Sequence, residues 1–396
     1  MKYLYKYTNI EISNLFLSLL ILSINVNGPD FFKTKELFFV LFVGSSLQYG
    51  NYKHLLELFI MISVMLISAC LNLLIPGSDL TLGGIISNTL GLVYLILLVF
   101  NNDLFKETII KTYLVSAVLV AILISSIWII CSLNSVIRYA LVNYFSSIKN
   151  DKVAFIMMIR NRKIFKWWVL GVYYGTAPCM IPALGYFLID RLNHRTFKNL
   201  LVDILLTSAL IMTGARANIL AAGLLVFLYF TFNLLKHKHY YLAVFMMFSV
   251  VFVGILVAFL FLSDKGEGSL QVKTLHKISY KIQFSKDLFR TVFYGWGAGS
   301  TFYSLGYKKL TSITELTIYE TIRRYGFIAT IMIFIFIWFK PFLYLLNSKK
   351  GIYALFPFLI LLIYVFVACT NPFLLGSIGF CALLFFNTQF SRRLNI

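Results

Sequence analysis

The stretch "LIMTGARANILAAGLLVFLYF" (210–230) carries one charged residue, Arg216, between two apolar runs. A charge at the centre of a bilayer costs about 2.5–3.5 kcal/mol on insertion scales. The two runs are therefore predicted to form a helical hairpin, with Arg216 at its external end, where a long basic side chain reaches the membrane surface. The same stretch indicates a chain that crosses a membrane repeatedly.

The composition extends this interpretation to the whole chain. Of 396 residues, 60% are hydrophobic and only 13% are charged, which is typical of a polytopic membrane protein and not of a soluble domain. Because a span needs about 20 apolar residues, we predict an all-α polytopic fold with about twelve transmembrane helices in a single integral membrane domain over residues 1–396. The predicted spans are 9–26, 36–50, 55–76, 85–100, 109–133, 176–190, 200–214, 217–235, 240–263, 326–346, 352–370 and 372–388.

The formal net charge of +20 would suggest nucleic acid in a soluble protein, but here it follows the predicted topology. Short connectors such as "NYKH" (51–54), "RLNHRTFKN" (191–199) and "NSKKG" (347–351) are basic, whereas "GSDLTLGG" (77–84) and "TNP" (370–372) lack lysine. Basic connectors stay in the cytosol. We therefore expect both termini to be cytoplasmic, membrane lipids to surround the chain, and nucleic acid not to be a partner.

Two long connectors, near 134–176 and 263–325, fall on the external side and are both basic. The first has seven basic residues against Asp151 alone, and the second has ten against five acids. One explanation is anionic lipid at the outer surface, with amphipathic stretches such as 153–174 lying at the headgroup level. The other is an anionic substrate, most naturally a phosphate or pyrophosphate. The two are compatible, because a lipid-linked pyrophosphate is both.

The second connector contains the glycine-rich run "FYGWGAGSTFYSLG" (293–306). Gly295, Gly297 and Gly299 alternate, which permits positive φ and close approach of backbone segments. Successive amides in such a run can form an anion-binding nest. A turn without any ligand is the other interpretation.

The run "SITELTIYETIRRYGFIAT" (312–330) follows and leads into a predicted span. Glu320 and Arg324 are spaced i,i+4, as are Glu315 and Tyr319, so each pair shares a helix face. An ion pair is one interpretation of Glu320. A carboxylate whose pKa is raised at the apolar membrane edge, acting as a base, is the other.

Metal chemistry has little support in the sequence. His276 is the only histidine on the predicted external side, and the five cysteines show no CxxC spacing. We therefore predict no metal site and no cofactor.

Three elements in this order resemble the bacterial O-antigen polymerase (Wzy) and O-antigen ligase superfamily. They are "TGARANILA" (213–221), "GWGAGSTF" (295–302) and "TELTIYETIRRYGFIAT" (314–330), the last containing Gly326. The resemblance covers the second half of the chain and implies a glycosyltransferase of the GT-C-like membrane fold in the bacterial inner membrane. Its substrates would be undecaprenyl-pyrophosphate-linked glycans, joined on the periplasmic side without nucleotide sugar or metal ion. Whether a polysaccharide chain-length regulator also binds stays open.

The resemblance also assigns roles to residues. Arg216 matches the family arginine that would stabilise charge on the departing pyrophosphate, and Glu315 occupies about the position where ligases carry a histidine. Glu315 would then be the base. Glu320, chosen from its spacing and not from the resemblance, is the second candidate catalytic carboxylate. The substrate-binding candidates, chosen from spacing and location, are Arg290, Arg323, Arg324, Gly295, Gly297 and Gly299.

Other functions remain open at this point. An O-antigen ligase is disfavoured by Glu315 and by "WVLGVYYGTAPCM" (168–180), which lacks the arginine that ligases tend to carry there. A lipid-linked oligosaccharide flippase should show paired repeats and charges deep in several helices. A scaffold whose loops bind anionic lipid is the least specific alternative.

Overall fold

The protein is mostly helical in its computed structural model, which describes residues 2–26, 34–50, 55–74, 93–100, 102–148, 157–164, 167–249, 269–312, 314, 316–348, 351–369 and 374–394. Its α-helices are α1 (Lys2–Asn25), α2 (Thr34–Ser46), α3 (Leu55–Leu73), α4 (Asp103–Leu133), α5 (Ser135–Ile148), α6 (Met180–Asn193), α7 (Phe197–Met212), α8 (Arg216–Lys236), α9 (Tyr240–Ser249), α10 (Ser269–Lys286), α11 (Leu288–Phe293), α12 (Thr317–Tyr325), α13 (Phe327–Asn347), α14 (Leu355–Cys369) and α15 (Ser377–Leu394). Two antiparallel hairpins pair β1 (Met157–Ile164) with β2 (Trp167–Tyr174) and β3 (Phe302–Ser304) with β4 (Lys309–Thr311).

Three helices of the described residues are long and apolar enough to cross a membrane. They are α4, with 31 residues, and α8 and α13, with 21 each. At 1.5 Å per residue, a helix of about 20 residues matches the hydrocarbon core of a bilayer. Shorter apolar helices lie at Asn9–Asn25, Tyr240–Ser249, Leu355–Cys369 and Ser377–Phe390. The fold therefore fits an all-α membrane protein.

Within the described residues the predicted count of about twelve spans is not reached. Helices α2, α6 and α7 have only 13, 14 and 16 residues. The predicted spans at 85–100 and 240–263 fall partly outside the described residues, and Tyr94–Phe100 forms a 3-10 helix. The connectors at 51–54 and 77–84 also lie outside the described residues, so their predicted sides stay predictions.

Helix α4 shows why these helices suit lipid. Its side chains Val115, Leu119, Ile122 and Ile129 are exposed although they are large and apolar. A helix of a soluble protein turns such residues toward a core, whereas a helix that is apolar all round belongs in a membrane or a large core. The helix ends where Asn134 caps α5, because Asn134 Oδ1 accepts from the backbone amides of Val136 and Ile137 at 2.9 and 3.0 Å.

By contacts, the chain divides into two compact units, each built from three segments. The first unit comprises Met1–Ser46, Lys106–Lys265 and Asn347–Val367, and the second comprises Leu47–Phe105, Gly266–Leu346 and Ala368–Ile396. The single integral membrane domain stays a prediction.

In the first unit, α6 packs against α7 and α8. Gly185 of α6 leaves room for Ile360 of α14, since a Cβ at Gly185 would lie 2.5 Å from that side chain. Phe232 of α8 and Phe356 of α14 stack with ring centroids 4.8 Å apart. Helices α7 and α8 form the hairpin predicted from the opening stretch, and its turn at Thr213–Ala215 confirms that Arg216 lies at a helix end.

In the first unit, residues 157–164 and 167–174 form a β-hairpin within the stretch 153–174 that was expected to be amphipathic. Strands β1 and β2 pair from Met157↔Tyr174 to Ile164↔Trp167. Met157 and Ile159 are buried, whereas Arg160 and Asn161 are exposed. Much of the predicted first loop is therefore regular structure. The location of this stretch at the headgroup level stays a prediction.

In the second unit, the predicted second loop also folds into regular structure, namely α10, α11, the β3–β4 hairpin and α12. Helix α10 contacts β3, α11 and α12, and α12 contacts α3. These contacts bring the glycine-rich run and the charged residues of 312–330 together.

Candidate functional site

The charged residues of the 312–330 run lie on α12, a short helix directly before the span α13. Glu320 is followed by Arg323 and Arg324 at i+3 and i+4 on the same helix face, so both guanidinium groups form ion pairs with its carboxylate. The helix ends at Gly326, whose φ of 88° is a conformation that other residues rarely adopt. The site described below belongs entirely to the second unit.

The Glu320 carboxylate is buried and fully engaged. Its Oε1 accepts from Arg323 Nη2 at 2.5 Å and from Arg324 Nε at 2.6 Å. Its Oε2 accepts from Arg323 Nε at 3.1 Å and from the Tyr280 hydroxyl at 2.6 Å. Since that hydroxyl gives its proton to Glu320, the Tyr280 oxygen accepts from Thr314 Oγ1, 2.6 Å away.

Arg323 is fully buried and uses all five of its N–H donors. Besides the two bonds to Glu320, Nη1 donates to the Ser300 carbonyl at 2.9 Å and to the Ser300 hydroxyl, and Nη2 donates to the Ser312 carbonyl at 2.8 Å. Its guanidinium also lies over the Phe302 ring, 5.0 Å from the centroid. A guanidinium with every donor satisfied is suited to hold the element together and not to bind a ligand.

The pKa of Glu320 is lowered, which fits the ion-pair interpretation and not the interpretation as a base of raised pKa. Burial alone would raise it, but the charges of Arg323 and Arg324 and the hydrogen bonds outweigh burial and bring the pKa to about 2. Burial, together with the neighbouring Glu320 charge, raises the pKa of Tyr280, which stays a neutral donor. A carboxylate with so low a pKa and no unused oxygen is a poor base, so the geometry suits Glu320 to positioning the arginines.

The glycine-rich run has the positive φ values predicted for it, at 69°, 91° and 93° for Gly295, Gly297 and Gly299. Its amides, however, do not form an open nest. The amide of Gly295 donates to the Arg290 carbonyl at 2.7 Å, that of Trp296 to Arg323 at 2.6 Å and that of Gly297 to Arg324 at 3.1 Å. The run therefore caps carbonyls at the end of α12 that have no partner within the helix.

Helix α3 contacts both the glycine-rich run and the end of α12. The Ser68 hydroxyl bonds the Tyr294 carbonyl and lies 3.1 Å from the Arg324 carbonyl. The Asn72 side-chain amide donates to the Ser68 carbonyl at 2.8 Å. Two polar residues one helical turn apart thus fix the glycine-rich run against the end of α12.

Arg290, which precedes the glycine-rich run, has one guanidinium nitrogen that makes no hydrogen bond to the described residues. Its guanidinium lies over the Trp296 ring at 4.2 Å, while Nε donates to Asn72 Oδ1 at 3.0 Å and to the Gly295 carbonyl at 3.2 Å. Nη2 also donates to Asn72 Oδ1, at 2.5 Å. Among the described residues Nη1 has no hydrogen-bond acceptor, and the buried Trp296 Nε1 has none either. The corner therefore offers donors in excess, which favours an anion.

Arg324, like Arg290, is a partly exposed arginine of the second unit. Its side chain is 12% exposed, compared with 0% for Arg323. Nε is held by Glu320, and Nη2 lies 3.4 Å from the Ser312 carbonyl. Arg290 and Arg324 are thus the candidates whose guanidinium groups reach the surface of this element.

Arg216 lies in the first unit, as the first residue of α8. Thr213 organises the turn before it, because the Ala215 amide and the Asn218 side chain donate to Thr213 Oγ1 at 3.2 and 3.3 Å. A cation at a helix N-terminus opposes the helix dipole. The helix dipole therefore does not stabilise the Arg216 charge. An anion, by contrast, would be attracted both by Arg216 and by the N-terminal end of α8.

Glu315 lies outside the described residues, so the structure gives it no geometry and its role as a base stays a prediction. Within the described residues, no three His, Cys, Asp or Glu side chains come together as metal ligands.

The sequence did not single out Tyr280, Asn72, Trp296 or Ser300. One signal was present, because His276, Ser279, Tyr280 and Gln283 form a polar stripe at i, i+3, i+4 and i+7 along α10. These side chains are buried, and His276 Nδ1 lies 2.8 Å from Ser304 Oγ. A polar stripe at helical spacing indicates a buried polar network.

Comparison with protein-family models, curated proteins and solved structures finds no match to this chain.

Proposed function

We propose that the protein is a membrane glycosyltransferase that polymerises oligosaccharide units carried on undecaprenyl pyrophosphate, as O-antigen polymerases do. The proposal rests on the order of the three sequence elements, on the apolar helices and on one observation of the site. That observation is the Arg290 guanidinium, which Asn72 and Trp296 hold in one orientation while Nη1 has no acceptor among the described residues.

The proposed reaction needs positive charge at the leaving group. A hydroxyl oxygen of the acceptor sugar attacks the anomeric carbon of the donor glycan, and the bond from that carbon to the pyrophosphate oxygen breaks. The pyrophosphate leaves with the electron pair, and the hydroxyl proton passes to a base. Fixed guanidinium groups lower the energy of this charge in the transition state because they need no reorganisation.

Arg290 and Arg324 are the residues proposed to bind the pyrophosphate. Stacking on Trp296 and the bonds to Asn72 restrict Arg290 before any ligand arrives, which reduces the entropy lost on binding. Glu320 holds Arg324 through Nε, and the exposed part of that side chain is proposed to meet the ligand. The glycine-rich run serves this arrangement by capping α12, not by binding the phosphate through its amides.

Glu320 and Arg323 are proposed as positioning residues. Their mutual bonds fix α12 against Ser300 and Ser312, so the two open arginines keep their places. Glu315 keeps the role of base that the resemblance gives it, and Arg216, in the first unit, keeps the role that the resemblance gives it. A substitution of Arg216 tests the second of these roles.

A deletion strain tests polymerase against ligase directly. Loss of a polymerase leaves lipopolysaccharide with single-repeat caps, whereas loss of a ligase leaves bare core. We expect single-repeat caps, a full ladder on complementation with the unaltered gene, and single caps again with Arg290→Ala. Lys286→Gln, an exposed basic residue of the same segment, is the matched control and should restore the ladder. Bare core would contradict the proposal.

A further inference from the structure

The first unit contains a cleft of about 420 Å³ at the ends of α6, α7 and α8 that none of the candidate residues above lines. It lies within the described residues, and its lining residues are Arg191, Arg195, Thr196, Phe197, Leu200, Tyr229, Phe230 and Asn233. The lining holds two arginines and no carboxylate. A volume of this size is typical of small-ligand sites.

The polar part of the cleft is built around the two arginines. Arg191 lies over the Tyr229 ring, 5.1 Å from the centroid, and one of its N–H groups reaches Asp203 Oδ2 at 3.4 Å. Arg195 Nη2 donates to Asn233 Oδ1 at 3.0 Å and lies 2.8 Å from His237 Nε2. The hydrogen bonds of each arginine thus involve one nitrogen, and its other N–H groups can donate to a ligand.

Two carboxylates lie near the arginines but do not line the cleft. Asp203 is buried and forms an ion pair with Arg191, and Asp190 accepts from the Asn199 side chain at 2.6 Å. The cleft also receives the N-terminal end of α7, a helix of 16 residues, because Thr196, Phe197 and Leu200 line it. The positive end of that helix attracts the same ligands as the arginines.

The remaining walls are apolar and open. Phe197 is 73% exposed and Phe230 is 50% exposed, so two large aromatic side chains border the arginines without a protein partner covering them. A soluble anion would leave these walls bare. An anion attached to an apolar chain would cover both parts of the cleft at once.

We infer that this cleft binds the phosphate group of a membrane lipid, with the phosphate at Arg191 and Arg195 and the adjoining apolar chain against Phe197, Leu200 and Phe230. The predicted topology puts the 191–199 connector on the cytosolic side, so the ligand would come from the inner leaflet. The inference does not depend on the proposed glycosyl transfer.

The test is lipid binding to the full-length protein in neutral detergent, measured by native mass spectrometry. The probes are dioleoyl phosphatidylglycerol, dioleoyl phosphatidylcholine with the same chains but no net charge, and inorganic phosphate. We expect phosphatidylglycerol to bind about tenfold more tightly than phosphatidylcholine, and Arg195→Gln to weaken it about tenfold. Lys198→Gln, an exposed residue of α7 outside the cleft, should change binding by less than about twofold.

A second variant guards against misfolding. Arg191→Gln alone would leave the buried Asp203 without its cation, so it is combined with Asp203→Asn, and the pair should weaken phosphatidylglycerol as Arg195→Gln does. Equal effects of Arg195→Gln and Lys198→Gln would contradict the cleft as the binding site. If inorganic phosphate bound as tightly as phosphatidylglycerol, the ligand would not need a lipid chain. If the two lipids bound equally, the ligand would not need a negative charge. Either result would overturn the inference.

Discussion

Gly295 and Gly326 meet backbone against backbone: a Cβ on Gly295 would lie 2.6 Å from the backbone nitrogen of Gly326, and one on Gly326 would lie 2.9 Å from the Phe293 carbonyl carbon. Both residues also have positive φ. The glycine-rich run and the end of α12 therefore touch where no side chain fits. This contact sets the places of Arg290 and Arg324, which the proposed function requires.

Gly295→Ala should lower the free energy of unfolding by at least about 2 kcal/mol, because it combines a strained φ with a clash against backbone that cannot move aside. The measurement is unfolding in mixed micelles titrated with sodium dodecyl sulfate. Gly44→Ala in α2 is the matched control, since nothing lies within 4 Å of its Cβ position, and it should not destabilise the protein. Equal stability of the two variants would contradict the contact.

Glu320→Gln should destabilise the protein by about 3–5 kcal/mol, because it leaves the buried Arg323 without its counter-charge. The exposed pair of Glu107 and Lys111 offers a control with i,i+4 spacing, at 77% and 72% exposure. Glu107→Gln should cost less than about 1 kcal/mol. The same unfolding titration measures both, and a Glu320 variant as stable as the Glu107 variant would show that the network is not structural.

Stability should also depend on pH through Glu320. Its pKa in the folded state is about 2, against an ordinary value of 4.5. A lowered pKa means that the stabilisation is complete above about pH 4.5 and is lost as the pH falls toward 2. The thermal midpoint of the unaltered protein should fall more steeply over this range than that of Glu320→Gln. Parallel curves would contradict the ion pair.

Arg290→Lys should fail to restore activity although it keeps the charge. Arg290 lies flat on Trp296 and reaches Asn72 with two nitrogens. A lysine has no planar group and only one side-chain nitrogen, so it cannot make both contacts. We expect both Arg290→Lys and Arg290→Ala to lower the polymerisation rate about 100-fold or more. Lys286→Gln is the control, and a lysine variant with full activity would show that charge alone suffices.

Arg216→Ala should abolish polymer while the protein still inserts, since Arg216 is the first residue of α8 and does not contribute to the apolar part of that span. Ladder length on a gel and the amount of protein in the membrane fraction are the two readouts. A normal ladder would remove Arg216 from the proposed chemistry.

The features that the sequence predicted well are those governed by local physics. The cost of a buried charge placed Arg216 at a helix end, and the alternation of glycines predicted their positive φ. The β1–β2 hairpin was missed because 157–164 has an apolar start followed by a polar run, without the alternation that marks a half-buried strand.

The partners within the site were out of reach for a different reason. Arg290 is tied to Asn72, 218 positions earlier in the chain, and Glu320 to Tyr280, 40 positions earlier. No local spacing reveals such pairs. The direction of the Glu320 pKa shift depended on them too, because burial and two adjacent arginines act in opposite directions.

Turnover by the purified protein tests the central claim most directly. The protein in detergent is given a single undecaprenyl-pyrophosphate-linked repeat unit, without nucleotide sugar, and products are separated by length. We expect lipid-linked chains of two or more repeats together with one released undecaprenyl pyrophosphate for each bond formed, and neither product with Arg290→Ala. Unchanged substrate with the folded, unaltered protein would contradict the claim.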